Sequence, residues 1–287
     1  MDLQQLRYVV EVADASSFTR AAERCFVTQS ALSHQIAALE REIGERLFAR
    51  TSRSVRLTEP GEAFVRQARI AVAAADAARE DAAAAAGHVV GTLRLGVIPT
   101  VTAVDLPALL VRFRAAHPAV RVELRVGNSD ALVPAVQRGD LDVALLGLHE
   151  DSVPTGVEVR SLSRERLVVA LPRGHRLVGR DAVLGDLAGE VFADFPAGTS
   201  GRAQSDAAFA AAGLERDVAF EADSAGLILG LVAAGLAVSL LAPGTVATSH
   251  ADVVSEQVLD GPYRVEYVAW DAASPRSVAR AFLAALD

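Results

Sequence analysis

Residues 18–40 read FTRAAERCFVTQSALSHQIAALE, and their spacing decides how the first part of the chain folds. Ser17 stands as an N-cap in front of a short helix that runs to about Arg24. Phe26 and Val27 form a turn, Thr28 caps a further helix, and Gly44 stops it after Ile43. At 100° per residue Leu32, Ile36, Leu39 and Ile43 share the face that packs inward. Ser30, His34, Ala37 and Arg41 lie opposite, Gln29 and Ser33 sit at the flank, and Glu40 points elsewhere. The outer face is narrow and carries no bulky aliphatic or acidic side chain. A helix that enters a major groove needs small residues for close approach, and hydroxyl, amide or imidazole groups for base edges and phosphates. Ala21 and Ala22 let the two helices cross closely, which gives the layout of a helix-turn-helix. Any three-helix bundle also has an outer polar face, so spacing alone leaves both readings open.

Working outward, Leu3, Leu6, Val9, Val10 and Ala13 form the apolar stripe of a first helix. Residues 47–58, LFARTSRSVRLT, have the β-branched, alternating character of a small hairpin with TSRS at its tip. Arg50, Arg53 and Arg56 recur along it; such a hairpin enters a minor groove or clamps a DNA backbone, or is simply a solvated surface. Thr58-Glu59-Pro60 then starts a helix that runs to Ala86, about 40 Å at 1.5 Å per residue. Its alanine-rich half, AVAAADAAREDAAAAA, is too small-sided to build a broad core; it suits a partner helix or a solvated spacer.

Gly87 and Gly91 bracket a change of style. Strand patterns follow at 92–98, 120–126, 141–147, 165–171, 190–195, 236–242 and 264–270. They alternate with helical stretches near 106–113, 129–138, 200–213, 224–234 and 275–286, so this region is α/β.

The net charge of −8 is unevenly placed. Residues 1–60 hold eight Arg and eight Asp or Glu, whereas residues 88–287 hold 17 Arg against 24 acids. An acidic chain can therefore carry a neutral DNA-binding head with locally clustered arginines. There is no Lys, which removes lysine-dependent chemistry, and the single Cys25 excludes an internal disulfide. No run of about 18 apolar residues and no export signal is visible, so a cytoplasmic location with no membrane partner is expected. No G-x-S-x-G elbow and no G-x-G-x-x-G fingerprint occurs. His149-Glu150-Asp151 reads as a surface loop, and no metal is expected. No catalytic cluster stands out, and the chain is expected not to be an enzyme.

The cluster SFTRAA, TQSALSHQI, LEREIG, RLFAR and LTEPGE, in this order and spacing, closely resembles the N-terminal domain of LysR-type transcriptional regulators of bacteria. The remainder is similar to the family more loosely, through strand order and pieces such as LRLGVIPT, GDLDVALLG and VAAGLAVSLLAP. The resemblance implies a multidomain protein. An all-α winged helix-turn-helix domain would occupy residues 1–58, a long linker (dimerisation) helix 59–87, and an α/β two-lobed, type II periplasmic-binding-protein-like regulatory domain 88–287. Lobe one would comprise 92–161 and 268–287, and lobe two 162–267, joined by two crossing strands.

The resemblance also implies sites and partners. Gln29, Ser30, Ser33 and His34 would meet a double-stranded DNA operator, with Thr28 on a phosphate and Arg50 and Arg53 on the wing. Many relatives carry Arg where this chain has His34, so base preference there is open. The chain would pair with itself as a dimer and assemble as a homotetramer, with RNA polymerase as a further partner. No cofactor is implied beyond a small-molecule effector between the lobes. Hydroxyl-rich turns after strands suggest its contacts: Thr100, Val101, Thr102, Asn128, Ser129, Gly147, Thr199, Ser200 and Arg202, with a small carboxylate as the natural ligand. The competing reading is a cytoplasmic small-molecule-binding protein or α/β enzyme with an accessory helical domain.

Overall fold

The computed structural model describes residues 1–50, 55–271 and 275–286. The chain divides into two compact units, Met1–Gly87 and His88–Asp287.

The first unit begins with α1 (Leu3–Ala15), α2 (Phe18–Arg24) and α3 (Gln29–Ile43). Each starts on a side-chain cap: Asp2 accepts from Gln5 N, Ser17 from Arg20 N and Thr28 from Ala31 N. Every cap satisfies a backbone donor that the helix leaves open, at about 1 kcal/mol each. Leu32, Ile36 and Leu39 are buried among Val9, Val12, Ala21 and Leu47, as the wheel requires. Ile43 departs from it. At the last turn before the left-handed Gly44 it is 37 % exposed, because the core ends one turn earlier.

The turn after α2 is a Schellman closure. Val27 N donates to Ala22 O at 3.0 Å and Phe26 N to Glu23 O at 3.2 Å. Phe26 occupies the left-handed position, φ 55°, that glycine usually fills. For an L-residue that region costs about 1 kcal/mol or more.

Strands β1 (Phe48–Arg50) and β2 (Val55–Leu57) pair antiparallel as the wing. The expected TSRS tip, and Arg53 with it, lies outside the described residues. Glu40 ties the wing to α3, its Oε1 accepting from Leu47 N at 2.8 Å and Phe48 N at 3.2 Å. Helix α4 (Glu59–Ala85) is capped by Thr58, whose own N–H donates to Leu47 O. Gly61 lies so close to that carbonyl that a Cβ would stand 2.0 Å from Leu47 O, so only glycine fits the first turn. Val65 belongs to the head's core, and Arg7–Asp76 and Arg69–Asp14 ion pairs bind α4 to α1. Much of α4 is thus part of the first unit's packed head rather than a free spacer.

In the second unit, lobe one is a five-stranded sheet ordered β4-β3-β5-β12-β6. Its strands are β3 (Gly91–Val97), β4 (Val120–Val126), β5 (Val143–His149), β6 (Glu158–Arg166) and β12 (Tyr263–Trp270). Helices α5 (Leu106–Ala116) and α6 (Ser129–Gln137) make the crossovers between the parallel strands, and α11 (Ser277–Ala285) packs on the sheet through Phe282. Lobe two holds β7 (Val168–Pro172), β8 (Val191–Asp194), β9 (Asp217–Glu221), β10 (Ser239–Leu241) and β11 (Val253–Gln257). A parallel bridge between Phe192 and Val238 joins the β8-β9 pair to the β10-β7-β11 sheet. Helices α7 (Leu184–Leu187), α8 (Ser200–Ala211), α9 (Ala225–Ala233) and α10 (Pro243–Ala247) complete the lobe.

The single strand expected over 165–171 is two. β6 stays paired with β12 in lobe one as far as Arg166, and β7 begins in lobe two at Val168. Between them Leu167 N donates to Pro262 O at 2.9 Å, pinning the two chain crossings together. The lobes therefore meet at Leu167 and Pro262, six residues from the boundaries expected at 161 and 268. Among the described residues no helix is long and apolar enough to cross a membrane.

Candidate functional site

On α3 the structure leaves Thr28, Gln29, Ser30 and His34 exposed on one side and half-buries Ser33. The groups are pre-oriented by one another. Gln29 Nε2 donates to Ser33 Oγ at 2.9 Å, and the Thr28 and Ser30 hydroxyls lie 3.1 Å apart. Ser33 therefore meets its surroundings through the Gln29 amide. Arg50 is the last residue of β1. The free N–H groups at the start of α3 and these hydroxyls form one polar face with backbone donors at its head.

In the second unit a cavity of about 360 Å³ opens between the lobes at the carboxyl ends of β3, β4 and β5. Thr100, Asn128, Ser129, Gly147 and Thr199 line it, as the sequence suggests. Its walls are largely apolar: Ile98 and Val126 on one side, Phe195, Leu240 and Leu241 on the other. Four expected residues do not line it. Val101 packs into the apolar core. Thr102 gives its N–H and its hydroxyl to Glu266. Ser200 donates through N (2.8 Å) and Oγ (2.6 Å) to Asp130, closing a latch between the lobes. Arg202 is engaged on the far side of α8, by Asp206 at 3.1 Å, Glu221 at 2.9 Å and Phe195 O. Burial alone would lower its pKa, but those two carboxylates raise it, so its charge is already matched.

The positive charge in the cavity comes from Arg264 instead, and the carboxylate Asp223 lines it from lobe two. This residue of β12 is 6 % exposed, and its guanidinium lies flat on Gly147, where a Cβ would come within 2.4 Å of Nη2. Nη2 donates to Thr100 O at 3.0 Å and faces Glu266 at 3.4 Å, while Nε has no partner among the described residues. Burial pushes the Arg264 pKa down, against the attraction of Glu266 and Glu165. From lobe two Gln204 reaches the same cavity, 3 % exposed and with Oε1 unpartnered. Arg264 could have been noticed in the sequence. It and Glu266 stand at i and i+2, on one side of a strand whose other residues are apolar. Among the described residues no group of three or more His, Cys, Asp or Glu side chains could hold a metal. Cys25 is half-buried in the head, its pKa raised by burial and by Glu11.

Two family descriptions cover nearly the whole chain: the bacterial regulatory helix-turn-helix of the lysR family over residues 3–62, and the LysR substrate binding domain over 86–287. The chain belongs to the LysR family of transcriptional regulators. It is 37 % identical to the regulator ShiR of Corynebacterium glutamicum over 250 residues, 85 % of this chain and 84 % of that one. It is 35 % identical to the dual regulator GltC of Bacillus subtilis, over 86 % of this chain and 82 % of the other. Among solved structures, full-length CbnR in complex with its target DNA superposes with a TM-score of 0.71 at 26 % identity, covering 100 % of this chain and 99 % of the other. A full-length OxyR variant from Pseudomonas aeruginosa gives 0.78 at 28 %, covering 100 % and 94 %. This LysR-type regulator accordingly joins a DNA-binding head to an effector-binding domain, and its fold is the one the sequence implied.

Proposed function

We propose that this regulator reads its operator with the exposed face of α3 and is switched by a small molecule held between the two lobes, on Arg264 and Gln204. One observation carries the effector assignment. Two polar side chains, each more than nine-tenths buried, reach one cavity from opposite lobes, and each leaves an atom without a partner. Burying such groups unpaired costs on the order of 1–3 kcal/mol apiece; a ligand recovers it when either side chain turns its unpaired atom, closed off from solvent here, toward the cavity. The apolar walls suit a small body with one acceptor for the guanidinium, and a carboxylate is the natural choice.

On this reading Thr28 holds a phosphate while Gln29, Ser30 and His34 face bases, with Ser33 holding Gln29, and Arg50 and Arg53 serve the wing. Self-association through α4 presents two heads to a two-fold operator, and a tetramer doubles that number; this compensates for a head of no net charge. The protein works in the cytoplasm beside RNA polymerase and performs no catalytic step. The related complex of CbnR with its target DNA supports the DNA half of the reading.

The test is a gel shift of the full-length chain on the DNA upstream of its own gene, with a panel of small aromatic and aliphatic carboxylates. At least one should alter the retardation. Arg264→Met and Gln204→Leu should cancel that response while basal binding persists. A response that survives both changes places the effector elsewhere.

A further inference from the structure

Phe26 is 95 % exposed, the only Phe, Tyr or Trp among the described residues that is exposed. An exposed aliphatic side chain is ordinary. Phe26 is not ordinary, because it is held at two costs at once. Its ring lies wholly in water, and its backbone takes the left-handed conformation that closes α2, where glycine or asparagine fits without strain. Among the described residues of the head nothing repays either cost: the closure is made by backbone bonds alone, and the neighbouring apolar residues, Cys25 and Val27, pack against the core without it. Strain retained at a surface position points to something outside the head that uses it.

The position says what. Phe26 stands two residues before Thr28, the cap of α3, and Thr28, Gln29, Ser30 and Ala31 are exposed in an unbroken run. The ring therefore extends the polar reading face at the end where the helix meets the duplex.

We propose that Phe26 is a DNA-contacting residue: its ring lies against deoxyribose carbons of the operator strand whose phosphate the start of α3 holds. The left-handed turn presents it. The inference rests on α3 being the reading helix and adds an apolar contact to an interface otherwise made of hydroxyls, amides, an imidazole and backbone N–H groups. Such a contact neutralises no phosphate, so it leaves the salt dependence of binding unchanged.

Phe26→Gly and Phe26→Asn, which both suit the turn, separate this role from a structural one. The full-length variants should unfold at the parent temperature or higher and bind the upstream DNA about 5–10-fold more weakly, with an unchanged slope of log Kd against log salt. Phe26→Tyr should bind like the parent. Parent-like affinity in the Gly and Asn variants overturns the proposal, even if they fail in transcription, since the ring then serves a protein partner. A changed salt slope overturns it too, because phosphate contacts have then been rearranged. If the parent itself shows no preference for its upstream DNA, the reading of α3 falls, and this inference with it.

Discussion

Two buried arginines in the regulatory unit make opposite use of the same side chain. Arg216 sits in lobe two with every guanidinium nitrogen occupied: Nη1 on Asp194 at 2.7 Å, Nε and Nη2 on Asp206 at 3.0 and 2.6 Å. The rings of Phe192 and Phe209 flank it, with centroids 5.2 and 5.6 Å away. Arg264 in the cleft makes one hydrogen bond, to Thr100 O, and leaves Nε open. Burial is common to both. The difference is saturation: a guanidinium with every nitrogen occupied holds a lobe together, and one with a nitrogen to spare is waiting for a partner. Arg202 falls on the Arg216 side of that line, which is why it is a poor choice for an effector contact despite its place at the start of α8.

Substitutions can break or sharpen the contrast. Arg216→Leu should be the most damaging, at about 3–5 kcal/mol, because Asp194 is left charged and buried without a counter-ion. Chemical denaturation of the regulatory unit measures it, and a loss under 1 kcal/mol would erase the distinction. Arg264→Met should weaken effector binding by about 1.5–3 kcal/mol, the worth of a charge-assisted hydrogen bond, yet disturb stability less than Arg216→Leu. Glu266 keeps the Thr102 N–H and hydroxyl and the Ala103 N–H, so it is not orphaned. Calorimetric titration beside a melting curve separates the two effects. Thr28→Ala should cost about 1 kcal/mol of head stability through the lost cap, together with operator affinity; a drop in affinity alone would make Thr28 a DNA contact with no structural share. Arg202→Ala should be the mildest for the effector, moving its affinity less than about threefold, since Arg202 does not line the cavity and sites with no shared partner couple by about 0.3–0.5 kcal/mol. A larger shift would return Arg202 to the site.

What the sequence disclosed follows the same division between local and assembled features. The caps at Ser17, Thr28 and Thr58, the Gly44 stop and the α3 wheel are statements about residues within one or two turns of one another, and the structure keeps them all except the outward Ile43. The cleft draws on segments more than 100 residues apart, and no periodicity announces that β12 and α8 face each other. The break at Leu167 was invisible because Glu165 and Arg166, the polar end of β6, run straight into Leu167 and the apolar VVAL of β7; only the passage between sheets parts them. The mistake over Arg202 had a local remedy. Asp206 lies four residues on, the helical spacing at which a charge is met on its own face.

The contact between Gly61 and the Leu47 carbonyl makes a machine part of α4. Helix and wing are joined there with no slack, because the space a Cβ would need is filled by backbone. With 27 residues the helix is a lever of about 40 Å. A tilt of about 5° sweeps its far end through about 3.5 Å and turns the wing by the same angle. Because Arg7–Asp76 and Arg69–Asp14 also tie α4 to α1, a torque on α4 at Ala85 turns the wing together with the rest of the head, with no play at Gly61.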